Sequence, residues 1–200
     1  MKSMTPSEIT SGQIGKVQEI LGAGLRKSGL PSEPTQQVLE TQGDSLIVEL
    51  VAVVRKRVEA VSNMIIRRVK VDRTRTPQEM LDATGWKQYT NRDVVNAMPK
   101  GEGDEVAVHF FILGHFVSDA DLDKEYELRG LKPADPYSLA QVNTDDPVFA
   151  NTHPNGTHWK NTSGRWCFAA FDLWGDEHDG SVDESDDGWD DGWWFAGVRK

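Results

Sequence analysis

Two aromatic runs near the end of the chain decide the fold, and they are Trp166-Cys167-Phe168-Ala169-Ala170-Phe171-Asp172-Leu173-Trp174 and Trp193-Trp194-Phe195-Ala196-Gly197-Val198-Arg199-Lys200. Aromatic residues are enriched in β-strands. The runs flank residues 172–191, which hold ten carboxylates and no Lys or Arg. Two strand-forming runs on either side of a Gly- and Asp-rich connection predict two paired strands joined by a long acidic loop.

Composition places the chain among ordinary globular proteins, since 38% of its 200 residues are hydrophobic and 27% are charged. This length suits one domain, or one domain with a helical appendage. The longest apolar run is too short to cross a bilayer, and the first residues have no apolar segment of a signal peptide. We therefore expect a cytoplasmic protein with no membrane partner.

Charge is unevenly distributed along the chain. Residues 1–76 contain twelve Lys or Arg and eight Asp or Glu, whereas residues 77–200 contain ten and twenty-four. This asymmetry indicates an acidic partner for one half and a basic partner for the other, or attraction between the halves. The net charge of −10 argues against nucleic-acid binding by the whole surface.

The first part of the chain, residues 1–70, is predicted to be a helical region that begins with a helical pair. Apolar residues at spacings of 3, 4, 4, 3 and 4 mark one face of its second helix, and they are Ile47, Leu50, Val54, Val58, Val61 and Ile65. Such a face packs on something apolar, either as a core helix of an αα-hairpin or as a dimerisation helix. In the second case residues 45–68 would form a homo-oligomer.

Residues 71–200 are predicted to form an α+β domain. Helix starts are marked by the capping box Thr76-Pro77-Gln78-Glu79 and by caps at Ser118 and Asp135. Residues 105–113 alternate as a strand that is apolar on both faces. The fold class expected for the whole chain is α+β, with the N-terminal helical pair followed by a small, mainly antiparallel sheet and several short helices.

The acidic, Trp-bearing segment is the candidate functional site. Aromatic anchors beside charge are typical of protein interfaces. The favoured interpretation is a non-enzymatic interaction protein that uses this segment as a hairpin to engage a basic protein partner. Its predicted contact residues are Asp183, Glu184, Asp186, Asp187, Trp189 and Trp193.

The same acids allow a second interpretation, a divalent-metal site for Ca²⁺ or Mg²⁺, as in a metal-dependent hydrolase. Hard cations need several oxygen ligands, although the spacing of an EF-hand is absent here. The candidate ligands are Asp176, Asp179, Asp183 and Asp187. A solvated loop that keeps the aromatic hairpin soluble is the third interpretation.

A basic segment earlier in the chain is the candidate for nucleic-acid binding, because Arg clusters suit phosphate groups. Its residues are Arg67, Arg68, Lys70, Arg73 and Arg75. Basic residues at a helix C-terminus also complement the helix dipole without any ligand, so a solvated or internally paired cluster is the alternative.

No motif names a reaction, and no cofactor is predicted. The five histidines are scattered, and apart from His109 in the strand 105–113 they are expected to be isolated polar residues of loops. Cys167, the single cysteine, is expected to be a buried, inert thiol. Phosphate-binding glycine loops, nucleophile elbows and HExxH motifs are absent from the sequence.

A turn-rich band runs through Arg129–Tyr137, Asp146–Ala150 and His153–Trp159 and ends with Trp193–Arg199. In this order of motifs the chain resembles short bacterial proteins without an assigned activity, over about residues 77–200. The resemblance implies a bacterial or phage-borne origin and brings no activity, cofactor or site.

Overall fold

The computed structural model describes residues 9–59, 64–185 and 187–200. The chain divides into two compact units, one within residues 4–62 and the other within residues 63–200. The boundary therefore lies before the basic segment, which belongs to the second unit.

The first unit is the predicted helical pair, with α1 at Ser11–Lys27 and α2 at Ser32–Glu59. Thr10 and Gln13 form a capping box that satisfies backbone N–H groups at the start of α1. None of the described side chains of α1 and α2 is buried, and Ile47 is among the exposed apolar residues. Such helices gain little from their own packing.

The second helix was predicted to extend through residues 45–68, and this is wrong. The helix ends at Glu59, and Ile65 lies in a strand with its side chain buried. Val61, which was predicted to lie on the apolar face of this helix, falls outside the described residues. Self-association through α2 stays a prediction.

The second unit contains eight strands in its described residues, in one mixed sheet. Their bounds are β1 Met64–Lys70, β2 Lys87–Thr90, β3 Glu105–Ile112, β4 Leu131–Pro133, β5 Asn155–Lys160, β6 Trp166–Trp174, β7 Glu177–Glu184 and β8 Trp194–Arg199. The order across the sheet is β1-β3-β8-β5-β6-β7-β2, and β4 also pairs with β8. Two pairs, β2 with β7 and β5 with β8, are parallel and the others are antiparallel. The predicted α+β class is confirmed.

Four short helices of this unit lie between the strands, and they are α3 Pro77–Asp82, α4 Arg92–Asn96, α5 Asp119–Leu128 and α6 Pro136–Asp145. The predicted caps at Thr76, Ser118 and Asp135 each accept a hydrogen bond from a backbone N–H of the first turn. A 3₁₀ turn follows at Phe149–Asn151.

The pairing predicted for the two aromatic runs is wrong. β6 pairs with β5 and β7, whereas β8 pairs with β3, β4 and β5. Much of the predicted acidic loop is itself β7, which returns from β6 through the tight turn Gly175-Asp176. Gly175 supplies the positive φ of 62° that such a turn takes at its first position.

The sheet has two different faces. The apolar face packs beneath α3, α4 and α6 and carries alternate residues of β6 and β7, such as Phe171 and Val182. The other face carries a smaller apolar cluster under α5, which includes Leu122, Tyr126 and Ala170. Beyond that cluster it carries acidic residues of β6 and β7, and we call it the acidic face.

No helix in the described part of the chain combines the length and the apolar composition that a membrane crossing requires.

Candidate functional site

The pleat of β6 and β7 collects carboxylates on the acidic face. Phe168 and Ala170 belong to the cluster under α5, so Asp172, respectively four and two residues further along β6, points the same way. Asp179 is directly opposite Asp172 in the ladder, and Asp183 lies on the same face of β7. Three acids of two neighbouring strands therefore share one surface.

None of these three acids forms an ion pair with a Lys or Arg in the part of the chain that the structure describes. The Lys and Arg ion pairs of this region engage other acids: Lys87 with Glu177 at 2.9 Å and Arg165 with Glu184 at 2.6 Å. Asp183 accepts hydrogen bonds of 2.8 Å from the Glu184 backbone N–H and 3.1 Å from the Asn91 side-chain amide. The acidic face thus keeps most of its negative charge uncompensated.

The opposed pair shows the electrostatic cost of this arrangement. Partial burial and then the neighbouring Asp179 carboxylate raise the pKa of Asp172 above its usual value. The Oδ1 atom of Asp179 is buried and has no hydrogen-bond partner among the described residues. The repulsion between the two carboxylates favours the approach of a positive charge from outside.

A cleft of 180 Å³ opens beside the acids on the same face. It lies between β6 and the segment that leads into β8. Its lining residues are Asp119, Phe168, Ala170, Ser185, Gly188, Trp189 and Trp193. We call it the aromatic cleft.

Aromatic rings at steep angles form its walls. The Trp189 ring is 5.5 Å from the Trp193 ring at an interplanar angle of 76°, and 5.9 Å from the Phe168 ring at 82°. Edge-to-face geometry of this kind stabilises aromatic clusters. The backbone of Trp189 exchanges hydrogen bonds of 2.9 and 3.0 Å with Val117, which holds the segment in place.

A buried carboxylate lies in the cleft lining. Asp119 is the first residue of α5 and is 7% exposed. Its Oδ1 accepts a hydrogen bond of 3.0 Å from the Trp189 indole N–H and lies 2.7 Å from Nδ1 of His158. These contacts orient both the carboxylate and the Trp189 ring.

His158 ties β5 to the start of α5. The ring is buried, stacks on Trp166 at 4.7 Å, and has Nε2 3.1 Å from a carboxylate oxygen of Asp123. That approach is too poorly aligned to be a hydrogen bond, since Nε2 has no hydrogen-bond partner among the described residues. The expectation of an isolated loop histidine is wrong for His158.

Gly156 on β5 makes room for the cleft wall. A Cβ atom at this position would lie 2.5 Å from two ring carbons of Trp189. Real side chains do not approach so closely, so only glycine leaves room for the indole to pack on β5 and reach Asp119.

The predicted contact residues divide between several places. Trp189 is 6% exposed and forms a cleft wall, whereas Trp193 is half-buried at the rim. Asp183 and Asp187 are exposed, and Asp186 falls outside the described residues. Glu184 points to the other side of β7, where it pairs with Arg165 and accepts a hydrogen bond from Asn161.

The neighbouring tryptophans Trp193 and Trp194 point to opposite faces, as strand geometry requires. Trp193 packs against the cluster under α5, and Trp194 packs against the apolar face with its ring 4.9 Å from that of His153. The most exposed tryptophan is Trp174, at 78%, near the turn that joins β6 and β7.

The predicted metal ligands are spread out. Asp176 lies in the β6–β7 turn, and Asp179 and Asp183 are four residues apart on β7, about 13 Å at the rise of an extended strand. Within residues 9–59, 64–185 and 187–200, no three His, Cys, Asp or Glu residues form a group that could hold a metal ion. Binding of Ca²⁺ or Mg²⁺ stays a prediction.

The residues of the predicted basic cluster lie on β1 and just after it, and β1 is a strand and not a helix end. Arg67 reaches Asp146 at 3.2 Å and lies over the Phe149 ring, and Arg73 pairs with Asp135. Arg75 lies 3.5 Å from Asp72. Alternation along β1 puts Arg68 and Lys70 on the side opposite Arg67. Nucleic-acid binding through these five residues stays a prediction.

Sequence reasoning missed Asp119, His158, Phe168 and Gly156 as parts of the site. Asp119 and His158 are 39 residues apart, and neither lies in a recognisable motif. The signal that was available is local: Ser118 caps a helix that starts with an acid, and β5 carries a histidine among strand-forming residues.

Comparisons with known proteins give no further guidance. No protein-family model matches the chain, no curated protein matches it, and no solved structure matches it. The geometry of the site is therefore the basis for inferring the function.

Proposed function

We propose that this chain is a non-enzymatic binding module that engages a basic segment of a partner protein on its acidic face. The observation that carries the proposal is the placement of Asp172, Asp179 and Asp183 on one face, beside an aromatic cleft and with no ion pair to a Lys or Arg among the described residues. Single acids on a surface mean little, but opposed carboxylates that the fold does not neutralise cost stability.

A basic partner would relieve that cost. The raised pKa of Asp172 reflects its partial burial and the repulsion from Asp179, and a Lys or Arg of the partner beside this pair would offset the repulsion. The acids would also accelerate encounter with a basic surface, because long-range attraction raises association rates.

The aromatic residues would supply affinity after encounter. Trp and Tyr side chains in a well-packed pocket dominate binding energy at interfaces. Trp193 at the cleft rim and Phe168 within it are half-buried and so are available to a partner side chain.

The test is the binding of a fluorescently labelled lysine-rich peptide, followed by anisotropy over a range of NaCl concentrations. The test variant replaces Asp172, Asp179 and Asp183 with Asn. The matched control replaces Glu102, Asp104 and Glu105 with Gln, Asn and Gln, since these acids are exposed on another part of the same unit. Both variants change the net charge equally.

The test variant is expected to bind about tenfold more weakly at low salt and with a flatter salt dependence, while the control changes little. Equal losses in the two variants would mean that net charge alone attracts the peptide, and the proposal would be wrong. A glutamate-rich peptide that binds as well as the lysine-rich one would also overturn it.

A further inference from the structure

We infer that the aromatic cleft is a binding site for one alkylammonium group, such as the end of a lysine side chain or its methylated forms. The inference rests on the proposed function, because it names the part of a basic partner that would enter the acidic face. It is carried by separate observations: the ring geometry of the cleft and the carboxylate of Asp119.

The cleft has the size of a side-chain end. Its volume of 180 Å³ equals that of about six water molecules, each of which takes about 30 Å³ in the liquid. Several methylene groups and an ammonium fit in this space.

The walls suit a cation. Trp189 is nearly perpendicular to Phe168 and to Trp193, so these rings meet edge to face and do not stack on one another. Ring faces attract cations, Trp most strongly, and groups of aromatic rings recognise substituted ammonium ions. The indole N–H of Trp189 is already used by Asp119, and Phe168 and Trp193 are the half-buried rings of the lining that a ligand can meet.

The carboxylate of Asp119 gives the cleft its charge. Both of its side-chain contacts engage Oδ1, and the residue contributes to the cleft lining despite being 7% exposed. A buried carboxylate favours a positively charged, hydrogen-bonding ligand strongly over a neutral one.

His158 does not remove this charge. Its ring lies between two carboxylates, Asp119 and Asp123. Even with both nitrogens protonated, one imidazolium carries a single positive charge against two negative ones. The surroundings of the cleft therefore stay net negative, before the acids of β7 are considered.

An ammonium fits better than a guanidinium. A guanidinium is planar and is best bound by two acceptors arranged side by side. In this cleft one oxygen of Asp119 is already occupied by Trp189 and His158. A compact ammonium needs a single acceptor and presents its remaining surface to the rings.

The experiment titrates n-butylammonium chloride into the protein at constant ionic strength, maintained with NaCl. Guanidinium chloride and neutral n-butanol are titrated in parallel. Binding is followed by tryptophan fluorescence and by the indole N–H resonances in ¹H–¹⁵N NMR spectra. The Trp189 indole resonance is the direct reporter, because its proton is donated to Asp119.

Butylammonium is expected to bind saturably and about tenfold more tightly than either butanol or guanidinium. Trp193→Ala should weaken butylammonium binding about tenfold. The matched control is Trp174→Ala, since Trp174 is 78% exposed and lies outside the cleft lining; it should leave the affinity unchanged. Thermal melts of both variants establish that they remain folded.

Two results would overturn the inference. One is butylammonium binding no tighter than butanol binding, and the other is an equal loss of affinity in the Trp174 and Trp193 variants. The lysine-rich peptide separates this inference from the proposed function. If Trp193→Ala binds the peptide normally while the Asp172, Asp179 and Asp183 variant does not, the cleft inference fails and the function stands. If butylammonium binds and the peptide does not, the function fails and the cleft site stands.

Discussion

The two faces of the sheet use the same strands for different purposes. On the apolar face, three helices cover a large cluster in which Leu139, Ala169 and Phe110 are fully buried. On the acidic face, α5 covers a smaller cluster, and the remaining surface carries opposed carboxylates and a cleft. One face supplies the stability that lets the other accept features unfavourable to folding.

The acidic face contains several such features. Asp172 is opposite Asp179, a carboxylate oxygen of Asp179 is buried with no hydrogen-bond partner among the described residues, and Asp119 is buried next to aromatic rings. The first two of these features cost stability, whereas Asp119 is held by hydrogen bonds. Groups with a perturbed pKa concentrate at functional sites, which is why we place the function on this face.

The largest effect should come from a truncation on the apolar face. Leu139→Ala removes a fully buried side chain of α6 and should lower the free energy of unfolding by about 3 kcal/mol. Urea denaturation measures this loss. The same substitution at Leu128, which is 67% exposed, should change it by less than about 0.5 kcal/mol. Folded Leu139→Ala protein should still bind butylammonium, and a loss of binding would mean that the two faces are not separate in function.

Gly156→Ala should lower the free energy of unfolding by less than Leu139→Ala does, and it should also affect the binding of butylammonium. The new methyl group would meet the Trp189 ring, so overpacking should cost about 2 kcal/mol in thermal or urea unfolding. Displacement of Trp189 should also abolish the butylammonium-induced fluorescence change. Gly192→Ala is the control, because nothing lies within 4 Å of its Cβ position. Unchanged binding by Gly156→Ala would show that the indole position does not matter for the cleft.

A small gain in stability should come from Asp172→Asn. Burial and Asp179 raise the pKa of Asp172 above its model-peptide value of 3.8, so the folded protein binds this proton more tightly than the unfolded chain does. The contribution of Asp172 to the free energy of unfolding therefore falls as the pH rises from its pKa in the unfolded chain to its pKa in the folded protein. The resulting loss of stability is fully present at neutral pH.

Removing the charge should raise the free energy of unfolding at pH 7 by roughly 0.5 kcal/mol, a value typical of opposed pairs in sheets. Urea denaturation at pH 7 and pH 4 measures it, and the gain should be smaller at pH 4. Asp190→Asn, at an exposed position of the segment before β8, is the control. A loss of stability at pH 7 would mean that the carboxylate is held by favourable contacts and is not under repulsion.

The smallest effect should come from divalent cations. Millimolar Ca²⁺ or Mg²⁺ should shift the melting temperature by less than about 1 °C, because an ion that binds the folded state weakly adds little stability. The reason is the spread of the candidate ligands along β7 and its turn. A clear rise in melting temperature that Asp179→Asn removes would reverse the assignment and make the acidic face a metal site.

The sequence predicted those elements whose local signals agree with their surroundings. The strands near residues 105–113, 166–174 and 192–199 are rich in aromatic or β-branched residues, and the helix caps at Thr76, Ser118 and Asp135 have the expected side chains. Cys167 is buried as predicted, and burial raises the pKa of its thiol.

The failures have a physical cause in tertiary contacts. Asp, Glu and Gly are depleted in strands, yet β7 forms because β6 and β2 pair with it on both sides. Residues 64–70 were assigned to a helix because Ile65 continues a spacing of 4, but the alternation of Ile65, Arg67 and Val69 toward the apolar face is the pattern realised. The site could not be predicted as a whole, since its carboxylate and its histidine meet only after the sheet has formed.

The position of β8 bears on how the chain folds during synthesis. The hydrogen bonds of α1 and α2 are local in sequence, whereas β8 pairs with β3, β4 and β5 and follows all three in the chain. Until it arrives, β1 and β3 have no connection through the sheet to β5, β6, β7 and β2. The emerging chain therefore exposes two unjoined half-sheets with apolar strands and open edges, the kind of intermediate on which chaperones act.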